Sequence, residues 1–165
     1  MKPILDAGKN LVWSQPAMRK REYELRAGDE LVATMRWDKT DEHDAVCETD
    51  EGKWTLHRKG FLKPTLSVRG PKGASATFEV AWTGGGRLQV GADEYRWAPS
   101  TFWRSEWTFS KGGEAPAVTY RPDSSPLKAG AQVEIAGDGA NVPLLVVMGW
   151  YLLVLLLEDT AIVGV

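Results

Sequence analysis

The residues able to do chemistry in this chain gather in a few short stretches. Residues 38–44, DKTDEHD, hold Asp38, Asp41, Glu42, His43 and Asp44. Carboxylate oxygens and an imidazole at this density are the donors that bind a divalent cation or carry protons. The stretch has neither the fixed spacing nor the glycine of an EF-hand loop, so we read it as a solvated connection. Two basic runs, Arg19-Lys20-Arg21 and Arg58-Lys59 with nearby Lys63, suit an anion instead. Their heads form charge-assisted hydrogen bonds to phosphate or carboxylate. Glu22 and Glu24 dilute the first run, and an ordinary solvated face is the competing reading for both.

Nothing else assembles a reaction centre. His43 and His57 lie fourteen residues apart, and a Cys–His pair with Cys47 needs a proximity that spacing does not show. Cys47 reads as a small strand residue. No serine sits in a G-x-S-x-G turn, and neither RGPKG nor TGGGR has P-loop spacing. We therefore expect no catalytic residue, no cofactor and no metal. An enzyme of unrecognised type working through the 38–44 loop stands as the alternative.

These stretches must be positioned by the elements around them. The chain has 165 residues, enough for one domain over 1–165, and a formal net charge of −2 with both signs interspersed. That balance gives no drive towards nucleic acid, so no nucleic-acid partner is expected. A single cysteine excludes an internal disulfide and suits a reducing compartment. The first residues contain no apolar run of signal-peptide length, which points to the cytoplasm, with a peripheral place at the membrane compatible.

Between about residues 11 and 136, apolar and polar residues alternate with period two, interrupted by turn chemistry. Tyr23 and Leu25 face opposite to Glu22, Glu24 and Arg26. After Gly28-Asp29, Leu31, Ala33, Met35 and Trp37 resume the apolar face. Trp54 and Leu56 alternate with Thr55 and His57, and Ala76, Phe78, Val80 and Trp82 form another inward set. The count is eleven or twelve short strands at hairpin spacing, the pattern of an all-β sandwich or barrel.

Residues 142–157, VPLLVVMGWYLLVLLL, break this rhythm. Fourteen of the sixteen are apolar and no helical phase has a polar face, so such a helix must be buried. A barrel of eight strands fills with its own side chains, whereas one of twelve leaves an axial space. A helix about 10 Å across fits that space. We therefore expect a closed antiparallel barrel of about twelve strands around a buried hydrophobic C-terminal helix. Asn141 is placed as N-cap and Pro143 in the first turn. Gly149 would let a large wall side chain approach the helix. A tail-anchored membrane protein with a cytosolic β-domain is the alternative. However, sixteen residues give about 24 Å of helix against about 30 Å of hydrocarbon, and Glu158 and Asp159 follow with no basic flank. No transmembrane span is expected.

The hairpins REYELRAGDELVATMRW and AVCETDEGKWTLHRK, the segment EYRWAPSTFWRSEWTF and the ending VPLLVVMGWYLLVLLL resemble the tubby C-terminal-like superfamily. The phospholipid scramblase and LURP-one-related branch is nearest in length and rhythm. The resemblance spans about residues 11–157 and implies a twelve-stranded barrel enclosing a hydrophobic C-terminal helix. It also implies ties to membranes or phosphoinositides in some branches, and to lipid scrambling or defence in others. No segment matches the phosphoinositide-contacting residues of tubby proteins or the cysteine-rich and calcium-binding segments of eukaryotic scramblases, so no functional residue is carried over. The expected function is a non-enzymatic binding module that recognises anionic lipid headgroups or a protein partner on its outer surface. Arg19, Lys20, Arg21, Arg58, Lys59 and Lys63 are the candidate contacts.

Overall fold

A computed structural model of the chain describes residues 1–37, 44–60, 64–81, 84–100, 106–124, 128–137 and 139–163, with side chains as far as Glu158. Twelve strands precede one helix: β1 (Asn10–Ser14), β2 (Glu22–Ala27), β3 (Glu30–Trp37), β4 (Ala45–Thr49), β5 (Gly52–Lys59), β6 (Thr65–Arg69), β7 (Ser75–Val80), β8 (Gly86–Val90), β9 (Asp93–Pro99), β10 (Trp107–Ser110), β11 (Val118–Pro122), β12 (Gly130–Ile135) and α1 (Val142–Val163). Each strand pairs antiparallel with its neighbours in sequence, and β12 closes the barrel on β1. An even strand number makes that closure antiparallel and leaves no exposed sheet edge.

The period-two pattern sorts most residues between lumen and solvent as expected, except at the start of β3, where a bulge opposite Leu25 and Arg26 buries Val32 and leaves the expected Leu31 half-buried. On β5, Trp54 and Leu56 are buried and Thr55 and His57 are exposed. On β2, Tyr23 and Leu25 are buried and Glu22 is exposed. The strand starts at Glu22, so Lys20 and Arg21 of the first basic run precede it. Val80 departs from the expected inward set: Ala76 and Phe78 are buried, but Val80 is 48% exposed, and Trp82 lies outside the described residues. Val80 ends β7 at the barrel rim, where an inward direction no longer means enclosure.

The helix occupies the lumen. Every residue from 142 to 155 is buried. The helical backbone continues past Leu157 to Val163, because no proline or glycine stops it before Gly164. Among the described residues, no helix is long and apolar enough to cross a membrane. The wall supplies the apolar surroundings that a bilayer would otherwise provide.

Wall and helix interlock through aromatic rings. The Trp13 ring stacks on Trp150 at 5.5 Å with an interplanar angle of 6°, while Tyr23 meets Trp150 edge-on at 5.3 Å. Trp37 stacks on Tyr151 at 5.6 Å. Tyr120 of β11 also packs on the helix: its ring lies over Gly149, where an added Cβ would stand 2.3 Å from Cε2. Its hydroxyl donates to the Val146 carbonyl, and burial pushes the Tyr120 pKa well above the ordinary value. Gly149 is therefore the close-approach point that its mid-helix position suggests.

The helix start is tied to the wall by polar contacts. Asn141 stands at the N-cap position, since its carbonyl accepts the Leu145 N–H at 3.0 Å. Its side-chain amide donates to the wall, to Asp93 Oδ2 and Tyr95 Oη, each at 3.1 Å. Lys111 completes the group, its Nζ 2.9 Å from Asp93 Oδ1.

These carboxylates make folding pH-dependent. The hydrogen bond from Lys111 holds Asp93 below its ordinary 3.8, and the one from Arg121 holds Glu106 below its ordinary 4.5. A carboxylate depressed on folding adds stability that is complete above its unfolded pKa and is lost as the pH falls through the folded value. The melting temperature should therefore decline as the pH drops below the ordinary carboxylate range. The Asp93→Asn, Glu106→Gln double variant should start lower at neutral pH and decline less. Parallel melting curves for the two proteins between neutral and acid pH would contradict this assignment.

Candidate functional site: the helix-exit end of the barrel

Alternation of strand direction gives the barrel two unlike ends. The chain enters α1 at one, where β2–β3, β4–β5 and β8–β9 are joined by tight turns. The helix leaves at the other, which also receives the ends of β1, β5 and β7 and the starts of β2, β6 and β8. Most of the candidate residues meet at this exit end.

Arg21 is paired there. Its Nε and Nη2 donate to Glu158 Oε1 and Oε2 at 2.9 and 2.8 Å, and its guanidinium carbon lies 5.1 Å from the centre of the Trp37 ring. The bidentate bond joins the loop before β2 to the emerging helix, so Glu158 serves as an anchor point for the barrel wall. Tyr23 below it is pushed up to about 12 by burial, with the Glu158 charge adding to the effect and Arg21 opposing it.

Arg19, Lys20 and Lys59 are exposed. Together with half-buried Arg58 they make no ion pair among the described residues. Arg19 adopts a left-handed backbone, with φ of 65°. Lys63 lies outside the described residues, as do Asp38, Asp41, Glu42 and His43. Of the acids described near this rim, Glu158 pairs with Arg21 and Glu106 with Arg121 at 2.7 Å, whereas exposed Glu22 and Asp123 have no ion pair among the described residues.

Apolar side chains share the rim. Met18 is 51% exposed, Val80 48%, Leu156 38% and Leu157 40%. These are four of the seven large apolar side chains exposed among the described residues. Inside them opens a cavity of about 150 Å³, walled by β6, β7, β9, β10 and the last buried turn of α1, with Arg58 at its edge. Sequence reasoning named Arg58 for its charge and missed the cavity. The available signal was parity: Arg58 follows Trp54 and Leu56 at spacing two and so has an inward direction.

The remaining chemical candidates separate. Cys47 is fully buried, and burial, with Glu48 adding to it, pushes its thiol far above the ordinary value. It is a core residue, not a thiolate nucleophile. His57 faces outward, and its Nδ1 lies 2.5 Å from Asp44 Oδ1. Ser67 is its direct cross-strand partner on β6. Among the described residues, however, no hydrogen bond joins Ser67 to His57, as a nucleophile and its base require. The N–H groups of the neighbouring strands belong to the β4–β5–β6 ladders, so among the described residues they offer no pair of free donors for an oxyanion. Among the described residues, no cluster of three or more His, Cys, Asp or Glu could hold a metal ion.

Fold and rim together define a class: a closed antiparallel barrel wound around its own C-terminal helix, with exposed apolar side chains and charges of both signs at the rim where that helix emerges. Compared with protein-family models, curated proteins and solved structures, the chain has no match.

Proposed function

We propose that this protein is a non-enzymatic module that docks the helix-exit end of its barrel onto an anionic lipid surface. One observation carries the reading. Exposed Met18, Val80, Leu156 and Leu157 share a rim with exposed Arg19, Lys20 and Lys59, which have no ionic partner among the described residues. Apolar tips favour the acyl boundary of a bilayer, and basic side chains beside them favour anionic headgroups. We place the contact on the rim instead of the outer wall because exposed apolar Met18, Val80, Leu156 and Leu157 stand there beside cations. The likeness to the tubby-like superfamily, some of whose branches act at membranes, agrees with this reading.

Each basic residue near an anionic surface contributes about 1 kcal/mol. Removing two, in Arg19→Ala with Lys20→Ala, should weaken vesicle binding by more than about tenfold. Met18→Asp with Leu157→Asp should weaken it further while leaving the fold intact, since both side chains are exposed. Flotation with vesicles of neutral lipid, with and without phosphatidylserine, measures this. Recovery of the wild-type protein away from the vesicles in both cases would refute the lipid reading.

A further inference from the structure

We infer that the rim cavity is a binding site for a free medium-chain fatty acid, its alkyl chain beside the helix and its carboxylate on Arg58. This goes beyond surface docking and does not require it. The cavity is lined mainly by Leu66, Phe78, Trp97, Trp107, Leu152 and Leu155, so its body is apolar and aromatic. Its volume of about 150 Å³ matches that of an apolar cavity which accepts a benzene-sized molecule. That admits a single alkyl chain of about six carbons and leaves no room for two.

Arg58 supplies the charge. It continues the inward parity of Trp54 and Leu56 on β5 and lies opposite Leu66 on β6. A half-buried guanidinium directed towards an apolar chamber is costly unless an anion meets it, and Arg58 has no ionic partner or hydrogen bond among the described residues. One such cation suits a monoanion. Lys59, the next residue, is exposed and has the opposite parity, so it does not add a second charge inside. The guanidinium offers a planar fork that matches both oxygens of a carboxylate.

Trp97 and Trp107, stacked at 5.4 Å within this lining, make the site visible by its own fluorescence. Titrating the full-length protein with octanoate should give a saturable change. Affinity should rise about threefold to fourfold per methylene from butanoate to octanoate and then level off. Arg58→Gln should weaken octanoate binding by about tenfold or more and leave octanol binding unchanged. Arg58→Lys should retain most of the octanoate affinity. No saturable response to octanoate, or equal octanoate affinity in Arg58→Gln and the wild type, would overturn the assignment. Vesicle flotation reads the docking surface separately. Flotation without octanoate binding would remove only this site, and octanoate binding without flotation would remove only the docking surface.

Discussion

Replacing Trp150 with aspartate is expected to abolish the folded barrel. Trp150 has no solvent exposure, stacks face to face on Trp13 of β1 and receives the edge of Tyr23 from β2. Losing a tryptophan from a packed core costs about 3–5 kcal/mol. A carboxylate in its place adds several more, whether it stays charged or is forced to take up a proton. The sum reaches the about 5–15 kcal/mol by which a whole domain is stable. Loss of near-ultraviolet circular dichroism and of the cooperative melting transition would report it. Trp150→Phe separates packing from polarity. Its indole N–H has no hydrogen-bond partner among the described residues, so phenylalanine removes ring area without stranding a donor, and this variant should remain folded. A Trp150→Asp protein with a native spectrum would show that the helix does not hold the barrel together.

The second large effect is expected at Gly149→Val. The Tyr120 ring already fills the space of a side chain there, with Cε2 at 2.3 Å and Cζ at 2.6 Å from an added Cβ. A buried ring hydrogen-bonded to the Val146 carbonyl cannot swing aside without losing that bond. Overpacking alone costs about 1–3 kcal/mol, and breaking the Tyr120 contact adds about 1 kcal/mol. These outweigh the gain of up to about 1 kcal/mol from removing a mid-helix glycine. We expect a net loss of about 2–3 kcal/mol, read from the denaturant midpoint. Tyr120→Ala is destabilising by itself, through the cavity that it leaves. In that background, however, Gly149→Val should cost little or even stabilise, because the new methyl groups enter the vacated volume. Strict additivity of the two substitutions would mean that they do not share the same space.

Different parts of this architecture were readable to different depths. The apolar faces of β2, β5 and β9 follow from period two, because a strand alternates sides whatever it is paired with. The β2–β3 turn follows from Gly28, whose φ of 60° is open to glycine at no steric cost. Strand ends were less legible: the bulge that buries Val32 on β3 arises from its pairing with β2, because register is a property of two segments together. Val80 shows the same limit from another side. Parity sets the direction of its side chain, while its height in the barrel decides whether that direction is enclosed.

The candidate site divides in the same way. Its charges could be named from the chain alone, since Arg19, Lys20, Arg21 and Arg58 carry their charge wherever they fall. Their roles could not. Arg21 and Glu158 lie 137 residues apart and meet only because the helix runs the full length of the barrel. Arg58 borders a chamber whose walls come from four other strands and the helix.

The sequence by itself therefore determined the strands, the all-round apolar helix and the need to bury it, because periodicity and hydrophobicity act locally or along one element. Only the tertiary structure decided which cations are paired, which apolar residues reach the rim and where space remains inside. Those properties depend on distances between segments far apart in the chain, which closure of the barrel on its helix sets all at once.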